Sequence, residues 1–186
     1  MMTVLASVQL HSTVRGGKTV FYHKQVWELF SNEVFRKIAD ENTLQKVADI
    51  KKEAKHYIPT EDFEGIGLLS SVFTPAVYDP KSASADQIRG FCQYQKDVLK
   101  ALASGIADDS SLALELEYAR EYYRCVNVLH EIGLEVMPVT YVRLLNQLLA
   151  SVSVPFKGEP LKGLQIMGPL ETRALDFKDL VIMSSN

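Results

Sequence analysis

The sequence lacks most of the features by which an enzyme or a membrane protein is recognised from its residues. Its only two cysteines, Cys92 and Cys125, lie far apart and form no CxxC pair, which is typical of reduced, buried thiols in a cytoplasmic protein. No apolar run approaches the roughly 20 residues that span a membrane, and no basic segment followed by a long apolar stretch indicates a signal peptide. These absences predict a cytoplasmic protein with no membrane partner.

Charge and histidine content argue against two further kinds of site. The formal net charge is -3 at pH 7, so no overall basic character favours tight, autonomous binding of nucleic acid, although this does not exclude a local basic patch. None of the four histidines, His11, His23, His56 and His130, pairs with another histidine or a cysteine three or four positions away. Because zinc needs three or four converging ligands, we expect no metal site, and no cofactor is predicted.

Motifs of catalytic sites are also missing. Gly16-Gly17-Lys18-Thr19 has part of the sequence of a phosphate-binding loop, but it follows a predicted helix and precedes a predicted strand. A phosphate loop needs the reverse order, so that a helix N-terminus meets the phosphate, and the segment is therefore predicted to be a turn. There is no G-x-S-x-G motif, and Cys125 lies within a predicted helix with no obvious basic partner. We predict no catalytic residue.

The spacing of apolar residues predicts a mainly helical chain. Apolar side chains recur at helical spacing through most of the sequence, and glycine or proline follows several of these stretches. Thr43 and Thr140 are the predicted N-caps of two helices. The predicted helices cover residues 3–14, 23–38 with a break at Ser31-Asn32, 43–57, a stretch from Ser84 or Asp86 to Gly105, 111–132 up to Gly133, and 139–152, with an irregular connection over Pro75–Ser84.

Short strands are predicted near both ends of the chain. Lys18–Tyr22 is β-branched and aromatic, and Leu164–Met167 and Leu180–Met183 are short apolar runs without alternation. Such runs are typical of strands that are buried on both faces, as in a parallel sheet. We expect these three segments to lie in one sheet, so the predicted fold class is mainly α with a small parallel β-sheet.

The loop between the last two predicted strands contains the strongest candidate site. It carries Glu171, Thr172, Arg173 and Asp176. An arginine on such a loop can donate two hydrogen bonds to a phosphate, and a neighbouring threonine hydroxyl can bond a backbone phosphate. In the alternative, Arg173 pairs with Glu171 or Asp176 and only shapes the loop. The residues alone do not decide between these roles.

The last segment, GLQIMGPLETRALDFKDLVIMSSN from Gly163 to Asn186, resembles the motif V region of superfamily 1 helicases. In those proteins a strand leads through a threonine-containing loop into a second strand. The segment is most similar to the version in AddB-type helicase–nuclease subunits and their Bacteroidetes relatives, which carry a RecB-like PD-(D/E)xK nuclease domain. The segments GGKTVFYHKQVWELF, from Gly16 to Phe30, and VPFKGEPL, from Val154 to Leu161, are similar to other parts of that family.

This resemblance implies a piece of the second RecA-like helicase domain with its helical insertion. Residues 1–37 and 160–186 would form the partial RecA-like part, and residues 38–159 the helical insertion. Thr172 and Arg173 would lie near the DNA backbone, whereas the Walker motifs and the nuclease carboxylates would lie outside this sequence. The implied function is a non-catalytic part of a DNA-repair helicase or exonuclease that processes DNA ends. The implied partners are DNA, other domains of the parent chain and a helicase–nuclease partner subunit.

Two alternatives from other functional classes stay open. The first is a free-standing helical protein–protein interaction module with no DNA role, in which Arg173 is structural. The second is a small complete enzyme whose site has no recognisable motif. For an enzyme of this kind we expect a deep polar pocket that contains residues with perturbed pKa values.

Overall fold

The computed structural model of the chain describes residues 1–106 and 112–154, together with residues 166, 168, 179, 181 and 182. The chain divides into two compact units, Met1–Val154 and Pro155–Asn186, and every helix and strand described belongs to the first. The strands are β1 (Thr13–Arg15), β2 (Lys18–Tyr22) and β3 (Tyr57–Pro59). The helices are α1 (Met2–Leu10), α2 (His23–Phe30), α3 (Glu33–Ile38), α4 (Glu41–Lys52), α5 (Gly67–Val72), α6 (Ala85–Ile106), α7 (Ala113–Ile132) and α8 (Pro138–Ala150), with a 3-10 helix over Thr60–Phe63.

The sheet has three strands in the order β1-β2-β3, and both pairs are antiparallel. Strands β1 and β2 form a hairpin whose two-residue loop is Gly16-Gly17, with φ of 58° and 79°. Positive φ at both loop residues is the type I′ geometry, which matches the twist of the strands and favours glycine. The turn predicted for this segment is confirmed, as is the strand Lys18–Tyr22.

The mainly α fold class with a small sheet is confirmed, but the parallel arrangement of that sheet is wrong. Strand β2 has β1 on one side and β3 on the other, so both of its edges are already paired. Within the predicted strands Leu164–Met167 and Leu180–Met183, the described residues are Ile166, Val181 and Ile182. They belong to no strand and are 89%, 84% and 72% exposed. The other residues of these two segments lie outside the described part of the chain.

Helix boundaries differ from the predictions where a strand or a different cap takes over. The helix predicted over residues 3–14 ends at Leu10, because Thr13–Arg15 pairs with β2. The helix predicted over 43–57 ends at Lys52, because Tyr57–Pro59 joins the other edge of β2. The predicted break at Ser31-Asn32 is confirmed, and the Asn32 side chain accepts a hydrogen bond from the Val34 N–H at 3.1 Å.

Both predicted threonine N-caps are wrong. Asp40 caps α4, and its carboxylate accepts a hydrogen bond from the N–H of Thr43 at 2.8 Å. Helix α8 starts at Pro138, one residue before the predicted start, with Met137 at the N-cap position and Pro138 in the first turn, where the missing N–H costs nothing. The predicted stop at Gly133 is confirmed, because Gly133 ends α7 in the left-handed conformation with φ of 68°.

Phenylalanine side chains fill the core between the sheet and the helices. The rings of Phe63 and Phe73 stack with centroids 3.7 Å apart, and Phe21 of β2 lies 5.2 Å from Phe73. The partly buried Trp27 packs beside Phe30, with ring centroids 5.7 Å apart. The core continues along α6, which contacts α3, α5, α7 and α8.

The buried residues form one cluster that includes both Phe35 and Ile50. Residues on the two sides of the predicted boundary between 37 and 38 therefore share a core. The assignment of residues 1–37 and 160–186 to a RecA-like part, and of residues 38–159 to an insertion, stays a prediction, since it concerns the relation of these parts to a longer parent chain.

Two buried glutamines hold the connection between α5 and α6 in place. Gln9 accepts a hydrogen bond from the N–H of Ala76 at 3.0 Å. Gln87 accepts hydrogen bonds from the N–H groups of Tyr78 at 3.0 Å and of Asp79 at 2.8 Å. The segment predicted as irregular contains no helix or strand, but it is fixed to the core by these side chains because buried polar groups need partners.

Candidate functional site

The site predicted from the sequence lies outside the described residues. Thr172 and Arg173, as well as Glu171 and Asp176, belong to the part of the chain that the structure does not describe. Their contact with DNA, and the alternative pairing of Arg173 with a neighbouring carboxylate, both stay predictions. The surfaces described below all belong to the first compact unit, Met1–Val154.

A group of aromatic and basic side chains comes from all three strands of the sheet and the residues next to them. It consists of Arg15 from β1, Tyr22 and His23 from the end of β2 and the start of α2, and His56 and Tyr57 from the start of β3. We call these five residues the sheet-face cluster. Strand pairing places Tyr22 opposite Tyr57. Arg15 lies opposite Lys18 at the start of β2, and its side chain reaches the Tyr57 ring.

The rings of the sheet-face cluster contact one another in series. The centroids of Tyr22 and Tyr57 are 5.5 Å apart, those of Tyr22 and His23 are 4.6 Å apart, and those of His23 and His56 are 5.1 Å apart. The backbone N–H of His23 donates to the carbonyl oxygen of His56 at 3.0 Å, which fixes the start of α2 against β3. The result is a row of four rings that are each partly or fully open to solvent.

Arg15 is the arginine of the sheet-face cluster and provides its positive charge. Its guanidinium carbon lies 3.6 Å from the centroid of the Tyr57 ring, a cation–π contact. Arg15 is exposed and makes no ion pair or side-chain hydrogen bond with the described residues. The contact with the ring uses none of its N–H donors in an ion pair with the described residues, which leaves them available for an anion.

The neighbouring lysines are already paired with carboxylates. Lys18 contacts Glu61 at 2.7 Å, and Lys55 contacts Glu53 at 2.6 Å and Asp62 at 2.8 Å. The hydrogen bonds to both carboxylates raise the pKa of Lys55, which keeps this lysine charged. Arg15 is thus distinguished from these cations by its lack of an acidic partner within the described residues.

The polar side chains inside the helical part form a hydrogen-bonded cluster with no reactive group. Tyr141 donates to the side-chain oxygen of Gln95 at 2.6 Å, and Gln95 donates to the hydroxyl of Tyr122 at 3.0 Å. Burial raises the pKa of Tyr122, of Tyr141 and of the nearby Cys92 thiol. All three groups stay protonated at neutral pH, so none of them is a general base or an activated nucleophile.

Lys96 extends this polar cluster towards the surface. It is only 8% exposed, and its amine lies 3.1 Å from Nδ1 of His130. The contact joins α6 to α7 and satisfies a buried cation, which would otherwise lose its hydration without compensation. We assign the pair a structural role, since the contact links two helices that pack in the core.

A second polar surface, around Asp40, is also occupied by structural contacts. A shallow groove of about 310 Å³ is lined by Asp40, Thr43, Ser71 and Ser104 among others. Hydrogen bonds from Thr43 lower the pKa of Asp40, because the capped carboxylate is the favoured form. With its pKa lowered by the cap, the Asp40 carboxylate stays ionised at neutral pH, so it is not a general acid there.

Three further observations limit the kinds of site that the described residues contain. Within them, no group of three or more histidine, cysteine, aspartate or glutamate side chains converges to hold a metal ion. Cys92 and Cys125 are both buried and unpaired, as the sequence predicts. No helix in the described part of the chain is long and apolar enough to cross a membrane.

Comparisons with family models, curated proteins and solved structures find no match to this chain. The resemblance to helicase–nuclease proteins therefore depends on the sequence segments alone.

The sheet-face cluster was not predicted, because its residues come from three separate segments. The Gly16-Gly17 turn is the one local signal that could have placed Arg15 beside β2, since two glycines between β-branched residues favour a hairpin.

Proposed function

We propose that this protein is a non-catalytic, DNA-contacting part of a DNA-repair helicase or exonuclease that processes DNA ends, and that the sheet-face cluster binds single-stranded DNA. The observation that carries the binding proposal is Arg15, an exposed cation that lies over the Tyr57 ring and has no acidic partner within the described residues. The helicase–nuclease context is supported by the sequence resemblance at both ends of the chain.

The chemistry of the cluster suits an unpaired strand. Aromatic rings that are open to solvent stack on bases without regard to sequence, and bases are available for stacking only where they are not paired. Tyr22 and Tyr57 provide two adjacent rings, and Arg15 provides donors for a backbone phosphate at the edge of the same surface. His23 and His56 add ring edges that donate or accept hydrogen bonds.

The same proposal covers location and partners. Unpaired, buried cysteines are typical of a reducing compartment, which supports a cytoplasmic protein. The partners would be DNA, other domains of the parent chain and a helicase–nuclease partner subunit. The polar side chains of Gln95, Tyr122, Tyr141 and Asp40 are held by structural hydrogen bonds, which supports a role in binding and scaffolding rather than catalysis.

The proposal is tested by fluorescence anisotropy with a labelled oligothymidine of about 15 nucleotides, compared with a duplex of the same length. We expect salt-sensitive binding that prefers the single strand. Because an aromatic stack on a base contributes about 1–3 kcal/mol, Tyr57→Leu should weaken binding about tenfold. Arg15→Gln should weaken binding and also reduce its salt dependence, since one phosphate contact is lost.

Two controls make the result specific. Arg89→Gln removes an exposed arginine of α6 that pairs with Asp86 on the same helix, and it should leave binding unchanged. Arg173→Ala tests the loop predicted from the sequence. Binding that is insensitive to Arg15→Gln and Tyr57→Leu, in variants with an unchanged melting temperature, would exclude the sheet-face cluster. A loss of binding in Arg173→Ala alone would locate the DNA contact in the C-terminal segment instead.

A further inference from the structure

A groove between α6 and α7 has a different chemical character from the sheet-face cluster. It encloses about 470 Å³, and its apolar floor includes Leu99, Ala119 and Tyr123. Three cations, Lys100, Arg120 and Arg124, line it as well, and among the described residues that line it there is no acidic side chain. A groove with an apolar floor and exposed cations along its rim favours an occupant that is apolar on one face and acidic on the flanks.

Each rim cation is paired with a carboxylate of its own helix. Lys100, Arg120 and Arg124 each pair with a carboxylate one turn away on the same helix, at 3.8, 2.8 and 3.1 Å. The three side chains are 63%, 61% and 76% exposed. Exposed pairs of this kind contribute little to stability, so a partner's carboxylates can replace the intrahelical ones at small cost.

The dimensions of the groove match a short helix. The α7 residues that line it run from Leu116 to Asn127, and at 1.5 Å per residue this stretch is about 16 Å long, or three helical turns. Arg120 and Arg124 are four residues apart, so they project from the same side of α7 about 6 Å from each other. Glutamates four residues apart on a docked helix have the same spacing.

We propose that this groove binds an acidic amphipathic helix of a partner protein. Leucine-type side chains of the partner helix contact Leu99 and Tyr123, and its acidic side chains pair with Arg120 and Arg124. An aliphatic floor favours a peptide over nucleic acid, because bases stack on aromatic faces and the groove supplies only one ring. The proposal is independent of DNA binding by the sheet-face cluster, since the two surfaces share no residue.

The test uses the full chain and a fluorescein-labelled peptide of about 15 residues, with leucines at helical spacing and glutamates four residues apart beside them. A matched peptide has lysine in place of every glutamate, and a labelled oligothymidine represents nucleic acid. We expect saturable, salt-sensitive anisotropy changes with the glutamate peptide and at least about tenfold weaker binding of the lysine peptide.

Three variants assign the binding to the groove. Ala119→Trp fills the floor, and the double variant Arg120→Glu/Arg124→Glu reverses the rim, so each should weaken binding of the glutamate peptide about tenfold. The double variant should in turn gain affinity for the lysine peptide, which a merely misfolded protein would not do. Arg89→Glu, on α6 outside the groove, should bind like the unmodified chain.

Other outcomes overturn the proposal. These are an absence of saturable binding, equal binding of the glutamate and lysine peptides, and a rim reversal that has no effect. If oligothymidine competes with the peptide and loses its own binding in the rim variant, the groove is a nucleic-acid site and the peptide proposal is wrong. Failure of the Tyr57→Leu experiment would leave this test unaffected, because Tyr57 does not line the groove.

Discussion

Tyr141 is the residue on which the polar interior of the helical part depends. It is fully buried, and its hydroxyl donates to Gln95, which in turn donates to Tyr122. The chain of hydrogen bonds links α6, α7 and α8 through one side chain from each. A buried amide that loses a partner incurs its full desolvation cost, so the cluster specifies one packing of these helices.

Tyr141→Phe should therefore lower the free energy of unfolding by about 1–3 kcal/mol, because the oxygen of Gln95 loses its donor while the ring stays in place. The matched control is Tyr123→Phe on α7, a partly exposed tyrosine whose hydroxyl has no hydrogen bond among the described residues. Urea denaturation of both variants measures the difference. Equal effects of the two substitutions would show that the buried hydroxyl contributes nothing specific.

The buried tyrosines also predict how stability depends on pH. Burial raises the pKa of Tyr94, Tyr122 and Tyr141 above the value of about 10 for an unfolded tyrosine. Above pH 10 the unfolded chain releases these protons while the folded chain keeps them. Their contribution to stability is complete below pH 10 and is lost as the pH rises towards the folded values, by up to about 1.4 kcal/mol per pH unit for each tyrosine.

Urea unfolding between pH 8 and about pH 11 tests this expectation, with the absorbance of ionised tyrosine as a second signal. In Tyr141→Phe the free energy of unfolding should decline less steeply above pH 10, because one of the three buried tyrosines no longer contributes. A decline that is equally steep in the variant would contradict the assignment to Tyr141.

At the scale of elements, two glycines of similar surroundings should respond in opposite ways to substitution. Gly17 has φ of 79° in the β1–β2 turn, whereas Gly90 lies in α6, and a Cβ at either position meets no atom within 4 Å. Gly17→Val should destabilise by about 1–3 kcal/mol, because a β-branched residue is strained at positive φ. Gly90→Ala should stabilise by up to about 1 kcal/mol through helix propensity.

Thermal unfolding followed by circular dichroism compares the two glycine variants directly. The Gly17 variant should also lose affinity for oligothymidine, since the hairpin positions Arg15 over Tyr57. If both substitutions shift the melting temperature in the same direction, the backbone argument for the turn fails.

Which elements could be predicted follows from how local their causes are. The long helices α6 and α7 have apolar side chains at helical spacing over many turns, so their positions follow from the sequence. Strands β1 and β3 have three residues each and pair with β2 from separate parts of the chain. Their formation depends on that pairing and not on a local pattern, and the helices predicted over 3–14 and 43–57 overlapped the first residues of both strands.

The same reasoning explains the sheet and the site. The apolar runs at Leu164–Met167 and Leu180–Met183 were expected in one sheet with Lys18–Tyr22, but Thr13–Arg15 and Tyr57–Pro59 are the strands that pair with it. The contact between Arg15 and Tyr57 joins residues that are 42 positions apart, and no periodicity in the sequence indicates it. A register of strand pairing must be known before the sheet-face cluster can be seen.

At the scale of the whole molecule, the described core lies entirely within the first compact unit. Its buried residues run from Leu5 to Leu145, and the unit itself extends from Met1 to Val154. A chain shortened to residues 1–154 should therefore unfold cooperatively with a melting temperature within about 4 °C of that of the full chain. Differential scanning calorimetry of both chains measures this.

The shortened chain also separates the two possible DNA contacts. If the sheet-face cluster binds DNA, residues 1–154 should bind oligothymidine with an affinity close to that of the full chain. If Thr172 and Arg173 supply the contact, the shortened chain should lose it. A shortened chain that does not fold would contradict the assignment of the core to Met1–Val154.

The position of Trp27 gives the protein a built-in optical reporter. It is the single tryptophan of the sequence, and it packs beside Phe30 on α2, the helix that directly follows β2. Its emission therefore reports the solvation of the sheet-side core, whereas far-ultraviolet circular dichroism is dominated by the longer helices α6 and α7. Coincident transitions in the two signals would mean that the sheet and the helices α6 and α7 unfold as one cooperative unit.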